Sequence, residues 1–365
     1  MSAQSTLASL PGLAVAPCAD QEAFNARLNQ GLAKHPARAE NYRRHQASTR
    51  GPVLDYLPVK MDYEVVSRCN FRCIMCRVGE WPGGQRAADM PFDAFRRSLD
   101  QQYGLVEIKL QGVGEPLLHP DLPRMVALAA ERHIWTRLTV NGSLLHVNDN
   151  YRRLIDADPG EVQVSLDGAS KAVFERIRRG SWFEKVTANA KLLNEYCLGR
   201  NLLKTRSWTV VQRDNVHELE DLVRLGADLK FQRMTFSVAL SNWGLDRWSQ
   251  ANRELDVSAR VGQERVAGLV ELGRRLGVEV TFWNAGQKFK LGGDPRHLCG
   301  WLFERAFISS DLRIVPCCVL SSPEQVDLGD ALALDQIWNQ KAYQELRAAH
   351  LRGDIPDWCR QCYGM

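Results

Sequence analysis

From residue 61 onward the chain alternates short strand-like runs with longer stretches of helical spacing, and it does so six times. The runs are MDYEVV, LVEIKLQG, TRLTVNG, EVQVSLDG, KTRSWTVVQ and FQRMTFSVAL, with VEVTFW as a further candidate strand. Repeated strand–helix units bring successive strands into one parallel sheet through right-handed crossovers. Six units predict an α/β fold, a partial (β/α)6 TIM-like barrel rather than a closed eightfold one. Such a barrel gathers its working residues in the loops that follow the strands. Those loops carry the unusual residues here.

The rest of the chain sets the boundaries. Residues 1–58 read as a partly helical N-terminal extension, 59–285 as the barrel, and 286–365 as a small C-terminal domain. Within the extension QEAFNARLNQGLAKH has helical spacing, whereas PARAENYRRHQASTRGP reads as polar and broken. In the last segment AFISSDLRIVPCCVL predicts a hairpin around Ser310–Leu312, followed by a helix over DQIWNQKAYQELRAAHL. A net charge of +4 is too mild to point to nucleic acid. No run of about 18 apolar residues exists, so no membrane span is expected. The first residues lack a basic start and are interrupted by Pro11 and Pro17, which argues against a signal peptide and for a cytoplasmic protein.

Ten cysteines are many for such a chain, and in a reducing compartment clustered cysteines are metal ligands or catalysts before they are disulfides. Cys18 and Cys197 stand alone. Cys69, Cys73 and Cys76 lie within RCNFRCIMCR, directly after the first strand. A structural zinc site closes with four ligands; three thiolates leave a position open, which suits chemistry. A zinc site completed by a distant ligand is the plainer alternative.

The C-x3-C-x2-C loop, with QGVGEPLLHP two elements later, TVNGSLL after the third strand and VSLDGAS after the fourth, resembles the radical S-adenosylmethionine (SAM) superfamily over roughly residues 60–365. The resemblance implies that Cys69, Cys73 and Cys76 hold three irons of a [4Fe–4S] cluster, and that SAM chelates the fourth. Reductive cleavage of SAM then gives a 5′-deoxyadenosyl radical that abstracts a substrate hydrogen. By the same resemblance Gly114 and Glu115 face the SAM amino group, although Val113 replaces the first glycine of the family's GGEP loop. Ser165 and Asp167 occupy the SLDG position. Asn141 follows the third strand, Phe71 packs near adenine, and Arg178 is a carboxylate partner. No catalytic proton acceptor is readable.

Cys299, Cys317, Cys359 and Cys362 resemble the C-terminal SPASM extension in its abbreviated twitch form, which implies one auxiliary [4Fe–4S] cluster. Cys317 matches the family's turn better than Cys318, with Leu312 where the family has glycine. A structural zinc site made by the same four cysteines is the alternative. The implied substrate is a small polar metabolite, such as a sugar, aminocyclitol or nucleoside, with flavodoxin or ferredoxin as electron donor. That choice rests on the segment before residue 60 being too short for the leader-binding domain of many peptide modifiers. A peptide- or protein-modifying maturase is the second reading, and a non-catalytic iron–sulfur or zinc scaffold the third.

Overall fold

The computed structural model describes residues 20–257, 261–283 and 289–365; Cys18, Pro11 and Pro17 lie outside them. The barrel wall starts with β1 (Lys60–Tyr63) and continues, after the small strand β2 (Arg72–Cys73), with β3 (Glu107–Leu110), β4 (Trp135–Val140) and β5 (Glu161–Ser165). Past β6 (Arg178–Arg179) come β7 (Thr205–Val210), β8 (Arg233–Ser237) and β9 (Glu279–Trp283). The seven wall strands pair in parallel in the order β1-β3-β4-β5-β7-β8-β9, so VEVTFW is the seventh. Helices such as Phe92–Gln101, Leu122–Glu131, Phe183–Leu198 and Leu219–Asp228 cover the outside.

The C-terminal segment is less separate than its composition suggests. Its β10 (Arg305–Ile308) pairs in parallel with β1 and extends the same sheet. The predicted hairpin follows, with β11 (Arg313–Val315) antiparallel to β10 and β12 (Gly329–Asp330) beyond it. At the turn Leu312 has φ +61°, a left-handed conformation that glycine adopts without strain. This is the place where the motif departs from its family, and the backbone keeps the glycine geometry. The helix expected over DQIWNQKAYQELRAAHL is two, Leu334–Ile337 and Lys341–Arg352, with Trp338 fully buried between them.

The polar stretch PARAENYRRHQA, broken by its composition, is in fact a helix, Pro36–Ala47. It has no apolar stripe to announce it. Pro36 starts it, Glu40 pairs with Arg43 and Arg44 one turn on, and the buried Arg38 donates to the Tyr103 and Arg132 carbonyls. With the helix Gln21–Lys34 it lies at the starts of the strands, where Phe24 meets the Trp135 ring edge-on at 5.5 Å. His45 reaches Glu304 at 3.6 Å and Lys60 reaches it at 3.3 Å. Burial raises the Glu304 pKa, but the His45 bond and the Lys60 and Arg305 cations outweigh it and hold the carboxyl at about 2. A depressed carboxylate stabilises the fold above the unfolded pKa and loses that contribution as pH falls towards the folded one. Going from pH 6 to pH 4, wild type is therefore expected to lose about 1 kcal/mol more stability than Glu304→Gln. Parallel slopes for the two proteins in denaturant titrations at those pH values would remove Glu304 from this role.

Candidate active site

The three clustered cysteines sit at the ends of the strands, Cys69 before β2, Cys73 on it and Cys76 after it. Their loop is held from several sides. β2 pairs antiparallel with β6, and this ribbon places Arg178 opposite Cys73. The Arg178 Nη1 donates to Cys73 Sγ at 3.9 Å, while its Nη2 lies 2.7 Å from the Asp167 carboxylate. Asp167 is fully buried and also accepts from the Val210 amide at 2.8 Å. Cys69 Sγ accepts from the Phe71 amide at 3.4 Å and from the Asn141 side chain at 3.9 Å. Asn141 is tied to Asn70 and Ser143, and its own amide donates to Glu115 at 2.7 Å.

Gly114 is required by close approach. A Cβ there would stand 2.2 Å from the Val66 carbonyl oxygen, so only glycine lets the loop after β3 lie on the backbone leading into the cysteines. Glu115 follows, buried, with one oxygen accepting from Leu117 N and the other from Asn141 N. Burial pushes its carboxyl up to about 7. The residue thus staples the loops after β3 and β4 together. Ser165 ends β5 opposite Trp208 of β7, and Phe71 is packed in the main core. Of the seven predicted residues other than the thiols, Arg178 and Asp167 meet beside Cys73, Phe71 and Asn141 donate to Cys69 with Glu115 behind Asn141, Gly114 packs on the Val66 carbonyl, and Ser165 ends the neighbouring β5. Glu115→Ala is expected to keep the iron and to weaken SAM binding by about tenfold or more, since two buried amides lose their acceptor. Unchanged affinity would leave Glu115 a loop staple and nothing else.

Burial pushes the Cys69 and Cys76 thiols up to about 12 and raises Cys73 as well. Buried thiols raised this far give up their protons only to a group that brings its own positive charge. Among the described residues no three acidic, histidine or cysteine side chains are grouped as a single metal ion would need. The second set also converges: Cys317 is raised first by burial and then by Cys318, Cys299 and Cys362, and Cys359 by burial, Cys317 and Cys362. Cys318 is exposed and lines a cavity, whereas Cys317 is the more enclosed of the pair. The donor chemistry of both sets fits iron–sulfur clusters.

That cavity, about 1080 Å³, lies between the barrel wall and the C-terminal segment. Asp62, Lys109 and Trp208 line its wall, and Tyr363 and Met365 its far side. A loop after β8 spans the two halves. Trp243 donates from its indole to the Met75 carbonyl inside the cysteine loop, and its own carbonyl accepts from Gln325. Gln325 in turn accepts from Arg77, next to Cys76. Nothing in the sequence signals this bridge, because Trp243, Gln325 and Arg77 belong to no shared pattern. Nor does the sequence distinguish Arg178 from a surface helix charge; the β2–β6 ribbon buries it.

The family model of the Radical SAM superfamily matches residues 63–226, and that of SPASM, an iron–sulfur cluster-binding domain, matches residues 299–363. Mycofactocin maturase MftC of Mycobacterium ulcerans is 26% identical over 310 residues, 81% of this chain and 79% of its own. PqqA peptide cyclase of Bradyrhizobium diazoefficiens is 22% identical over 324 residues, 84% and 79% of the two chains. A tungsten-containing aldehyde ferredoxin oxidoreductase cofactor-modifying protein of Pyrococcus furiosus is 29% identical over 181 residues, about half of each chain (48% and 49%). In fold, the chain resembles SuiB of Streptococcus suis, crystallised with precursor peptide SuiA, at TM-score 0.60 and 16% identity, covering 88% of this chain and 70% of that one. The expectation of a small polar metabolite is overturned by these relatives, which include a maturase and an enzyme named for the peptide it cyclises. That expectation rested on the length of the N-terminal segment and on nothing in the site. Among the described residues no helix is long and apolar enough to cross a membrane.

Proposed function

The chain is a radical SAM enzyme with a C-terminal SPASM domain, and we propose that it modifies a peptide or a peptide segment of a protein. The relatives named for maturation and peptide cyclisation carry this reading, and the cavity supports it. At about 1080 Å³ it stands at the upper end of small-ligand pockets, and it runs from the barrel wall to the C-terminal residues. Trp208, Trp243 and Trp283 line it, apolar surfaces against which an extended chain can lie. The maturase and the peptide cyclase are each matched over four-fifths of this chain.

In this reading Cys69, Cys73 and Cys76 hold the SAM-binding [4Fe–4S] cluster, and Cys299, Cys317, Cys359 and Cys362 hold one auxiliary cluster. Bound SAM and the reduced cluster supply a hydrogen-abstracting carbon radical. This chain's residues position and shield. Arg178, ion-paired to Asp167, presents a guanidinium beside Cys73, where it suits the SAM carboxylate. Glu115 and Asn141 lock the neighbouring loops, with Gly114 allowing the approach and Ser165 and Phe71 completing the mouth. The Trp243–Gln325–Arg77 bridge keeps the second domain against the cysteine loop and so limits water entry.

The test uses anaerobically reconstituted protein with dithionite, SAM and the short peptides encoded beside its gene. A peptide mass change that accumulates with 5′-deoxyadenosine is expected. Efficient conversion of a non-peptide metabolite, with every peptide unchanged, would reject the reading.

A further inference from the structure

Six neighbouring strands, β10, β1, β3, β4, β5 and β7, carry eight charged side chains. Seven of them are matched. Lys60 pairs with Glu304 at 3.3 Å, Asp62 with Arg305 at 3.1 Å, Glu107 with Arg137 at 3.3 Å and Glu161 with Arg206 at 2.9 Å. The eighth is Lys109 of β3. Among the described residues it has no ion pair and no hydrogen bond, although Asp62 is its register partner on β1. Asp62 is already engaged by Arg305.

Lys109 is also placed to receive something. It lines the cavity two residues before Gln111, on the same face of its strand, with Trp208 and Phe307 nearby. Gln111 accepts from Thr139 and so is engaged on its acceptor side. The remaining charges of this cavity, among them Asp246, Arg253, Asp357 and Arg360, belong to the segment after β8, with its helix Asp246–Leu255, and to the chain's last residues. A partly desolvated ammonium with no ion pair of its own is costly unless an anion meets it. Burial and then the Arg137 charge lower the Lys109 pKa, and the neighbouring Asp62 and Glu107 carboxylates, themselves engaged by arginines, do not offset them.

We propose that Lys109 binds a carboxylate of the substrate peptide, either an Asp or Glu side chain or a free C-terminus. The inference rests on the peptide reading and deepens it: the cavity selects a peptide that delivers one negative charge to the wall at β3. SAM also carries a carboxylate, so the test separates the two sources.

Reconstituted full-length enzyme is given SAM, dithionite and one of three pools of short peptides randomised, with Asp and Glu left out, at all positions but one. The first pool fixes Glu and is amidated at its C-terminus, the second fixes Gln and is amidated, and the third fixes Gln with a free C-terminus. The readout is 5′-deoxyadenosine formed above each protein's own peptide-free rate, together with SAM affinity by equilibrium binding. In wild type one carboxylate-bearing pool is expected to stimulate about tenfold more than the amidated Gln pool, the worth of one charge-assisted contact. Lys109→Met is expected to erase that difference and Lys109→Arg to restore part of it. Equal stimulation by all pools overturns the Lys109 assignment while the peptide reading stands. Stimulation by none overturns the peptide reading and the assignment with it. A SAM affinity weakened about tenfold in Lys109→Met gives the ammonium to SAM and also overturns the proposal.

Discussion

Replacing Cys69, Cys73 and Cys76 together with alanine is expected to abolish reductive cleavage of SAM and to remove about half of the iron, four of about eight atoms per chain. The three thiols are the ligands assigned to this cluster and each is raised first by burial, so alanine at all three leaves this loop no thiolate donor for it. The four cysteines of the C-terminal domain lie on other elements and keep their own cluster. Iron analysis and 5′-deoxyadenosine chromatography on anaerobically reconstituted protein decide the matter. Residual cleavage by the triple variant would falsify the assignment of the catalytic cluster. Loss of all iron would instead show that the two clusters assemble only together.

The second large effect is on stability. Glu161 is fully buried at the start of β5, with Arg206 at 2.9 Å and Arg137 at 3.3 Å. Arg206 is itself buried and donates otherwise to a hydroxyl, that of Thr235 at 3.1 Å. Removing one member of a buried ion pair strands the other charge and costs about 3–5 kcal/mol. Glu161→Ala is therefore expected to lower the urea midpoint sharply, by a large share of the stability of an ordinary domain. Glu161→Leu combined with Arg206→Met removes both charges and is expected to recover much of that loss. A midpoint for Glu161→Ala within about 1 kcal/mol of wild type would mean that water reaches this layer.

These two sites divide what each level of description decides. The cysteine triplet and the four cysteines of the last segment are local patterns, legible because ligand spacing within a loop is a property of sequence. The alternation of strand and helix is equally local, and it identifies each wall strand, VEVTFW included, because apolar runs and helical spacing follow from backbone geometry. The helix Pro36–Ala47 is not legible, since its surface is polar and its support comes from Tyr103, Arg132 and Leu57, distant in sequence. Nor is the burial of Arg178, which depends on β6 meeting β2 across more than a hundred residues.

Substrate class is the furthest from reach. A cavity exists only where the barrel wall, the loop after β8 and the C-terminal domain face one another, and no stretch of sequence contains it. The same holds for charge balance. Lys109 looks like any lysine in a strand until the pairing of its seven neighbours leaves it without an ion pair among the described residues. Sequence by itself determined the order of elements and the thiol donor sets, because those are set by nearest neighbours along the chain. Only the tertiary structure decided which charges are matched, which loops are stapled together and what space remains between them, because those depend on groups that folding brings together from far apart.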